Sequence, residues 1–309
     1  MGYNFKGMKI TIAVCTWNWA DSLDRTLNAF LDLKIPRGIE PQFLVVNNNC
    51  TDHTDQVIEK YSKKLPLTRL FESKQGLSHA RNCAVDSAQG ELVFFTDHDA
   101  IVDPNWVACY LDAANRWPEA SYFGGRIIPL YEKNPPAWVK ENISLLEGAV
   151  LIRDLGPDER RLDQNELVFG ANIAFRKTVL KKWKFDANFG PAGKELILGD
   201  ETMFINNLHK NGLYGVWVPA SQVKHFVPQK RTSLGFVHRY FMAMGRTQVR
   251  VNGPLEGKKI FGVPRTLFRQ WLQAKSKAYF LRVFRLENWF PYFLYASELK
   301  GRIVESKKS

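Results

Sequence analysis

Cysteine is scarce in this 309-residue chain: Cys15, Cys50, Cys83 and Cys109 are scattered, with no Cys-x-x-Cys pair. Neither a zinc knot nor a disulfide framework is indicated, and free thiols suit a reducing compartment. No apolar run is long enough to span a bilayer; the longest aromatic-rich one, Trp289 to Ala296, is far too short. The start, Met1 to Lys6, has no apolar signal core and carries Lys where a myristoylation motif needs Ser or Thr, so a cytoplasmic location is expected. Acid is what the end lacks. From Lys224 onward there are eighteen Lys and Arg, four Glu and no Asp, whereas the rest carries 25 basic against 27 acidic residues. The net charge of +12 therefore belongs to the C-terminal quarter. That asymmetry points to an anionic surface or ligand met by the tail, with lipid headgroups and nucleic acid as candidates.

What is present is a core. At 45% apolar and 24% charged residues the chain buries enough to exclude disorder. Lys9 to Thr16 alternates Ile10, Ile12 and Val14 as a strand, and Asn18 to Leu33 follows as a helix capped by Asp21 or Ser22. Gln42 to Val46, Leu67 to Phe71 and Leu92 to Phe95 read as further strands. Asp52 to Lys64 and Leu77 to Ala88 read as helices, the latter closed by Gly90. Such alternation predicts an α/β fold: a mostly parallel sheet with right-handed crossovers, ligands sitting beyond the strands' carboxyl ends.

The second half is less regular. A helix from Asp103-Pro104 to Trp117 precedes a strand over Ser121 to Tyr131, and Lys133 to Asn165 reads as a variable lobe. Val168 to Arg176 is a strand in which Gly170 and Ala171 leave room for a close neighbour. A loop from Gly190 to Gly199 leads to a helix opening on Asp200 and Glu201; Leu213 to Val218 and Val223 to Val227 are late strands.

The stretch around which the rest is organised is Glu91 to Ala100. A buried strand runs straight into Asp97 and Asp99, separated only by His98. Carboxylates at i and i+2 just past a strand end can turn to one side and share Mg²⁺ or Mn²⁺ with phosphate oxygens and water. The bland alternative is a solvated loop with two unrelated acids.

Taken together, the motifs Val14 to Asn18, Val45 to Asp52, Gly76 to Asn82, Thr96 to Asp99, Gly170 to Arg176, Gly199 to Thr202 and Val223 to His225 resemble the family-two inverting glycosyltransferases of the GT-A fold. The resemblance covers roughly residues 8 to 250 and rests on seven motifs in the family's order. It implies a GT-A type Rossmann-like domain over 1–230, with a nucleotide-sugar half of about 8–118 and an acceptor half of about 119–230. A helical, basic and aromatic extension over 231–309 would follow.

By that resemblance Asp99 binds a cation that bridges the donor's diphosphate, Asp97 lies nearer the ribose, and His225 is a third ligand or touches the diphosphate. His225 alone would be an ordinary strand or surface histidine. Arg81 fits the Ala-Arg-Asn position, the alternative being a surface arginine on a helix. Thr16 to Asn18 and Asn47 match positions that hold nucleobase and ribose. The family usually has Asp where Asn47 stands; an amide oxygen can still accept the uracil N–H, so a UDP-sugar donor is expected. Asp52 is a second candidate there, or simply a helix cap. Asp200 and Glu201 match the acidic pair that supplies the catalytic base, in reversed order, so that Glu201 falls on the base and Asp200 on the supporting acid. As acids in a first helical turn they would also favour the helix dipole without any catalytic role. The implied reaction is a metal-dependent single displacement onto a hydroxyl of a glycan or lipid-linked acceptor.

Two rivals are weighed. A sugar-nucleotide nucleotidyltransferase would need a glycine-rich phosphate loop after the first strand, and Thr16 to Trp19 offers none. A nucleic-acid or other anionic-polymer binder would use the tail, yet no recognition motif appears there. In that tail Leu267, Trp271, Ala274, Ala278 and Leu281 recur at helical spacing among basic residues. Such an element either lies in an anionic membrane interface, giving peripheral attachment at the cytoplasmic face, or packs on the catalytic domain.

Overall fold

The computed structural model describes residues 7–193, 196–253, 255–260, 262–284, 286 and 288–308. Expectations attached to Met1–Lys6, to Lys194 and Glu195 of the glycine-bounded loop, and to Arg285 in the tail lie outside them. Two compact units are formed: residues 1–130, 151–193 and 200–226 make the first, and 131–150, 194–199 and 227–309 the second.

The first unit begins with the expected alternation: β1 (Met8–Thr16), α1 (Ala20–Phe30), β2 (Ile39–Asn47), α2 (Thr54–Ser62), β3 (Leu67–Phe71), α3 (Leu77–Ser87) and β4 (Leu92–Asp97). β3, β2, β1 and β4 pair in parallel, with Thr16 beside Asn47 and Cys15 beside Asp97, so their carboxyl ends form one edge. Both faces of β1, β2 and β4 are covered, as parallel sheets require, whereas β3, at the sheet edge, leaves Phe71 52% exposed. Ile10, Ile12, Val14, Phe43, Val45 and Phe94 join residues of α1 and α2 in one core. Ala13, Leu44, Val46, Val93 and Phe95 join residues of α3 in the other.

The sheet then turns antiparallel. β5 (Ala100–Val102) is a short strand directly after the acidic turn, followed by α4 (Trp106–Arg116) and β6 (Tyr122–Tyr131). In the second unit α5 (Ala137–Glu141) and α6 (Ile143–Val150) occupy the stretch read as a variable lobe. Back in the first come β7 (Arg160–Arg161), a 3₁₀ turn over Gly170–Asn172, β8 (Ile173–Arg176), α7 (Lys177–Lys182), α8 (Asp200–Lys210) and β9 (Gly215–Val227). The order across the sheet is β3-β2-β1-β4-β8-β6-β9-β5, with β7 also on β9. The two late strands expected from the sequence are one strand, β9.

Gly90 has a different reason from the one expected. α3 ends at Ser87 and Ala88 is extended, so Gly90 is no left-handed cap. A Cβ there would run into the backbone of Ile10 and Thr11. Close approach to β1 demands the glycine.

The second unit carries α9 (Leu234–Asn252), the two-residue strands β10 (Lys259–Ile260) and β11 (Val263–Pro264), α10 (Arg265–Val283) and α11 (Trp289–Ser306). α9 and α11 cross at glycines: a Cβ on Gly245 would overlap the Glu298 carbonyl, and one on Gly301 the Met242 carbonyl. Gly245→Ala should destabilise the protein by about 1–3 kcal/mol by overpacking, against about 1 kcal/mol of improved helix propensity. Urea unfolding followed by circular dichroism reads the sign. A variant more stable than its parent would mean the helices can separate without loss.

Candidate active site

At the shared carboxyl edge, β4 delivers Asp97 and the turn into β5 delivers Asp99. β9 runs antiparallel to β5 with Ala100 opposite His225, which brings a residue 126 positions later beside Asp99. The Phe226 N–H donates to the Asp99 carbonyl at 2.8 Å and fixes that register. One ligand atom each from Asp97, Asp99 and His225 lies within 4.8 Å of the others. His225 Nε2 is 2.9 Å from Asp99 Oδ1, and both side chains are buried.

The Nδ1 of His225 has no hydrogen-bond partner among the described residues, although the side chain is fully buried, and Nε2 faces only the Asp99 carboxylate. Such an orphan is rare in a purely structural histidine. Burial, and then repulsion by Asp99, push the Asp97 carboxyl above the usual aspartate range. A hard cation answers both problems, accepting a nitrogen lone pair and cancelling the repulsion. Two carboxylates and one imidazole therefore fit Mg²⁺ or Mn²⁺.

The acid pair is built from α3. Ser78 donates to the Phe189 carbonyl at 2.8 Å, and the Asn82 amide both donates to the Phe185 carbonyl and accepts its N–H. Between them Arg81, 3% exposed, pairs with Asp200 and reaches Glu201 Oε2 at 3.3 Å. It is no surface arginine. Gly170 leaves the room expected of it, though in the 3₁₀ turn before β8 and not in a strand, and the close neighbour is Arg81: a Cβ there would overlap the guanidinium, and the Gly170 N–H donates to Glu201 Oε1 at 3.1 Å.

Burial would lower the Arg81 pKa, but Asp200, Glu201 and Asp97 together raise it, so the guanidinium stays charged and is felt by both acidic groups of the edge. Burial and the neighbouring Glu201 push Asp200 well up despite Arg81. Against the burial that would raise it, Arg81, Asp200 and the Gly170 N–H hold Glu201 below the glutamate range. Glu201 is thus the anionic member, and its side chain is the more exposed, 18% against 4% for Asp200. Cys15, behind this edge, is pushed up to about 12 by burial and stays a thiol.

The nucleotide-side candidates lie where β1 and β2 end. Thr16 is buried, and its hydroxyl has no partner among the described residues. Asn18 is left-handed at φ 56°, and its Oδ1 accepts the Thr51 N–H at 2.7 Å. The Asn47 amide is engaged inside its own loop, donating to Asp55 and accepting from the Cys50 N–H. Asp52 ties two helices: Oδ2 accepts the Ala20 N–H that opens α1, and Oδ1 accepts the N–H and hydroxyl of Thr54. Neither Asp21 nor Ser22 caps α1 through its side chain. Asp52→Ala should cost about 1–2 kcal/mol of stability, measured by chemical unfolding; no loss would mean that water replaces both bonds freely.

Residues the motif reading passed over are mainly organisers. Asn48 accepts from the Gly76 N–H and donates to the Glu72 and Lys74 carbonyls, setting the entry to α3. Asn172 accepts from Trp106 and Tyr110 and donates to the Arg126 and Ser221 carbonyls. Each belongs to a motif, and that was the available signal. His98 stacks on Trp19, ring centroids 5.6 Å apart.

The chain has relatives among known proteins. The chain is 22% identical over 240 residues to the glucosyl-dolichyl phosphate glucuronosyltransferase of Haloferax volcanii, covering 74% of this chain and 73% of the relative. It is 23% identical over 250 residues to the succinoglycan biosynthesis protein ExoM of Rhizobium meliloti, covering 79% and 75%. In fold it is similar to the mannosyltransferase PcManGT from Pyrobaculum calidifontis, solved with GDP-Man and Mn²⁺. The TM-score is 0.62 at 17% identity, over 96% of this chain and 86% of that one. The S. aureus TarS 1–349 structure with UDP-GlcNAc gives a TM-score of 0.56 at 16% identity, over 96% and 90%. The family model for glycosyl transferase family 2 matches residues 11–183, more than half the chain, and this protein belongs to that family of glycosyltransferases.

Proposed function

We propose that the enzyme moves a sugar, with inversion, from a nucleoside diphosphate sugar (UDP-linked in the first instance) to a hydroxyl of a glycan or lipid-linked acceptor. The observation that carries this reading is the pairing, within one unit, of a three-ligand cation set with an arginine-tied acid pair whose fields overlap at Arg81. Glucuronosyl transfer to a glucosyl-dolichyl phosphate, named for the H. volcanii relative, supports a lipid-linked acceptor.

In this reading Asp99 and His225 hold Mg²⁺ or Mn²⁺, with Asp97 adjoining toward the ribose. When bound, the cation neutralises charge that grows on the departing diphosphate. The unpartnered Thr16 hydroxyl and the Asn18 loop meet the nucleoside, while Asn47 and Asp52 act by holding that loop. Glu201, anionic and the more accessible of the pair, accepts the acceptor's hydroxyl proton as oxygen attacks the anomeric carbon opposite the diphosphate. Asp200 and Arg81 fix its position. Thermal stabilisation by a panel of UDP- and GDP-sugars, with Mn²⁺ and with chelator, tests this directly. One donor should stabilise the protein only with the metal; a panel without any metal-dependent shift would sink the reading.

A further inference from the structure

The stripe read from the sequence along α10 is largely used up by packing. Leu267 and Ala274 are buried with Ala296, Leu299 and Ile303 of α11, Trp271 packs against them, and Ala278 is buried too. The side that remains is also apolar. Phe268, Leu272, Tyr279, Phe280 and Val283 are 42% to 73% exposed, and Phe284 just beyond is 61% exposed. At 100° per residue Phe268, Leu272, Tyr279 and Val283 fall in a band about 60° wide, turned away from the packed face. Scattered exposed apolar residues need no explanation, but an aligned aromatic and aliphatic stripe does.

Charge says what covers it. α10 carries Arg265, Arg269, Lys275, Lys277 and Arg282, and not one Asp or Glu. Lys275 rides on the Trp271 ring and Arg282 on Trp289, which holds both along one flank of the stripe, while Lys277, on Tyr292, is turned away from it. A second copy docking by two-fold symmetry would bring these like charges together. Among the described residues no helix is long and apolar enough to cross a membrane. Leu272 and Val283 offer no ring for stacking on bases, which disfavours single-stranded nucleic acid.

We propose that the outer face of α10 is a docking surface for an anionic lipid bilayer. Its apolar stripe enters the boundary between headgroups and acyl chains, and the flanking cations meet lipid phosphates. The inference does not depend on the catalytic reading.

Co-sedimentation of the full chain with phosphatidylcholine vesicles, and with equimolar phosphatidylcholine and phosphatidylglycerol, tests it. Binding to the anionic vesicles should exceed binding to neutral ones by about a hundredfold or more, since each cation near the surface contributes roughly fivefold. The variant Phe268→Ser, Leu272→Ser, Tyr279→Ser, Phe280→Ser keeps every charge and should bind at least about tenfold more weakly. Arg265→Gln, Arg269→Gln, Lys275→Gln should lose most of the preference for anionic lipid. Circular dichroism melts within a few degrees of the parent establish that both variants fold. Equal binding to both vesicle types, no binding, or an unaffected serine variant would overturn the proposal. So would a dimer, or a DNA complex, that forms without lipid and is lost in the serine variant.

Discussion

Glu201→Gln is expected to lower the turnover of sugar transfer by roughly a thousandfold, with donor KM little changed. The amide fills the same volume and can still accept the Gly170 N–H, so what disappears is the charge that takes the proton. Asp200→Asn is expected to cost much less, roughly tenfold, because Asp200 acts on Glu201 and Arg81. The pH dependence of stability separates the two residues. Glu201 is held below the glutamate range, so its contribution is present at neutral pH and is lost as pH falls through that lowered value. Glu201→Gln should therefore lose stability near neutrality and little in acid. Asp200 is held above its ordinary range, so its ionisation opposes the fold as pH rises. Asp200→Asn should therefore lose less stability near neutrality than Glu201→Gln, because the burial of the charge it removes offsets the Arg81 pairing it also removes. Equal losses of turnover in the two variants would remove Glu201 from the role of base.

Removal of the cation set is the second large effect. Asp99→Asn should lower transfer by about a thousandfold, and His225→Gln by roughly ten- to a hundredfold, as loss of one ligand of three usually does. Stability should move the other way. Asp99 repels Asp97, which is already pushed up by burial, so the metal-free Asp99→Asn protein should melt no lower than its metal-free parent. A nucleoside diphosphate with Mn²⁺ at a hundred times its Kd should stabilise the parent by about 2.7 kcal/mol, and should leave the variant almost unmoved. Differential scanning fluorimetry with and without chelator measures both halves. Full stabilisation of Asp99→Asn by Mn²⁺ would show that the cation sits elsewhere.

β2 and β4 were legible because both their faces are buried, leaving unbroken Phe, Leu and Val that flanking loops punctuate, and β1 because Ile10, Ile12 and Val14 alternate along it. β5 was not, since three residues after an acidic turn carry no period of their own; β9 supplies their pairing. β9 itself was read as two strands, one ending at Val218 and one resuming at Val223, with Pro219 between them. It continues because the Ser221 carbonyl is taken by Asn172 and the Gln222 carbonyl by the Asp103 N–H. Arg81 was placed on its helix correctly, but its burial was invisible: the acids that make burial tolerable stand 119 and 120 positions later. In α10 the periodicity picked out the face that packs and passed over the one left to solvent. Two apolar bands on one helix blur each other in a simple count, and only α11 tells them apart.

The register that sets Ala100 against His225 also bears on how the chain assembles. The two aspartates proposed as the cation's ligands are synthesised early, and the imidazole arrives only when almost the last residue of the first unit has joined the sheet. Contacts so distant in sequence form late and slowly. Manganese affinity should consequently develop with the final phase of refolding, making a simple ion titration a clock for completion of this half of the molecule.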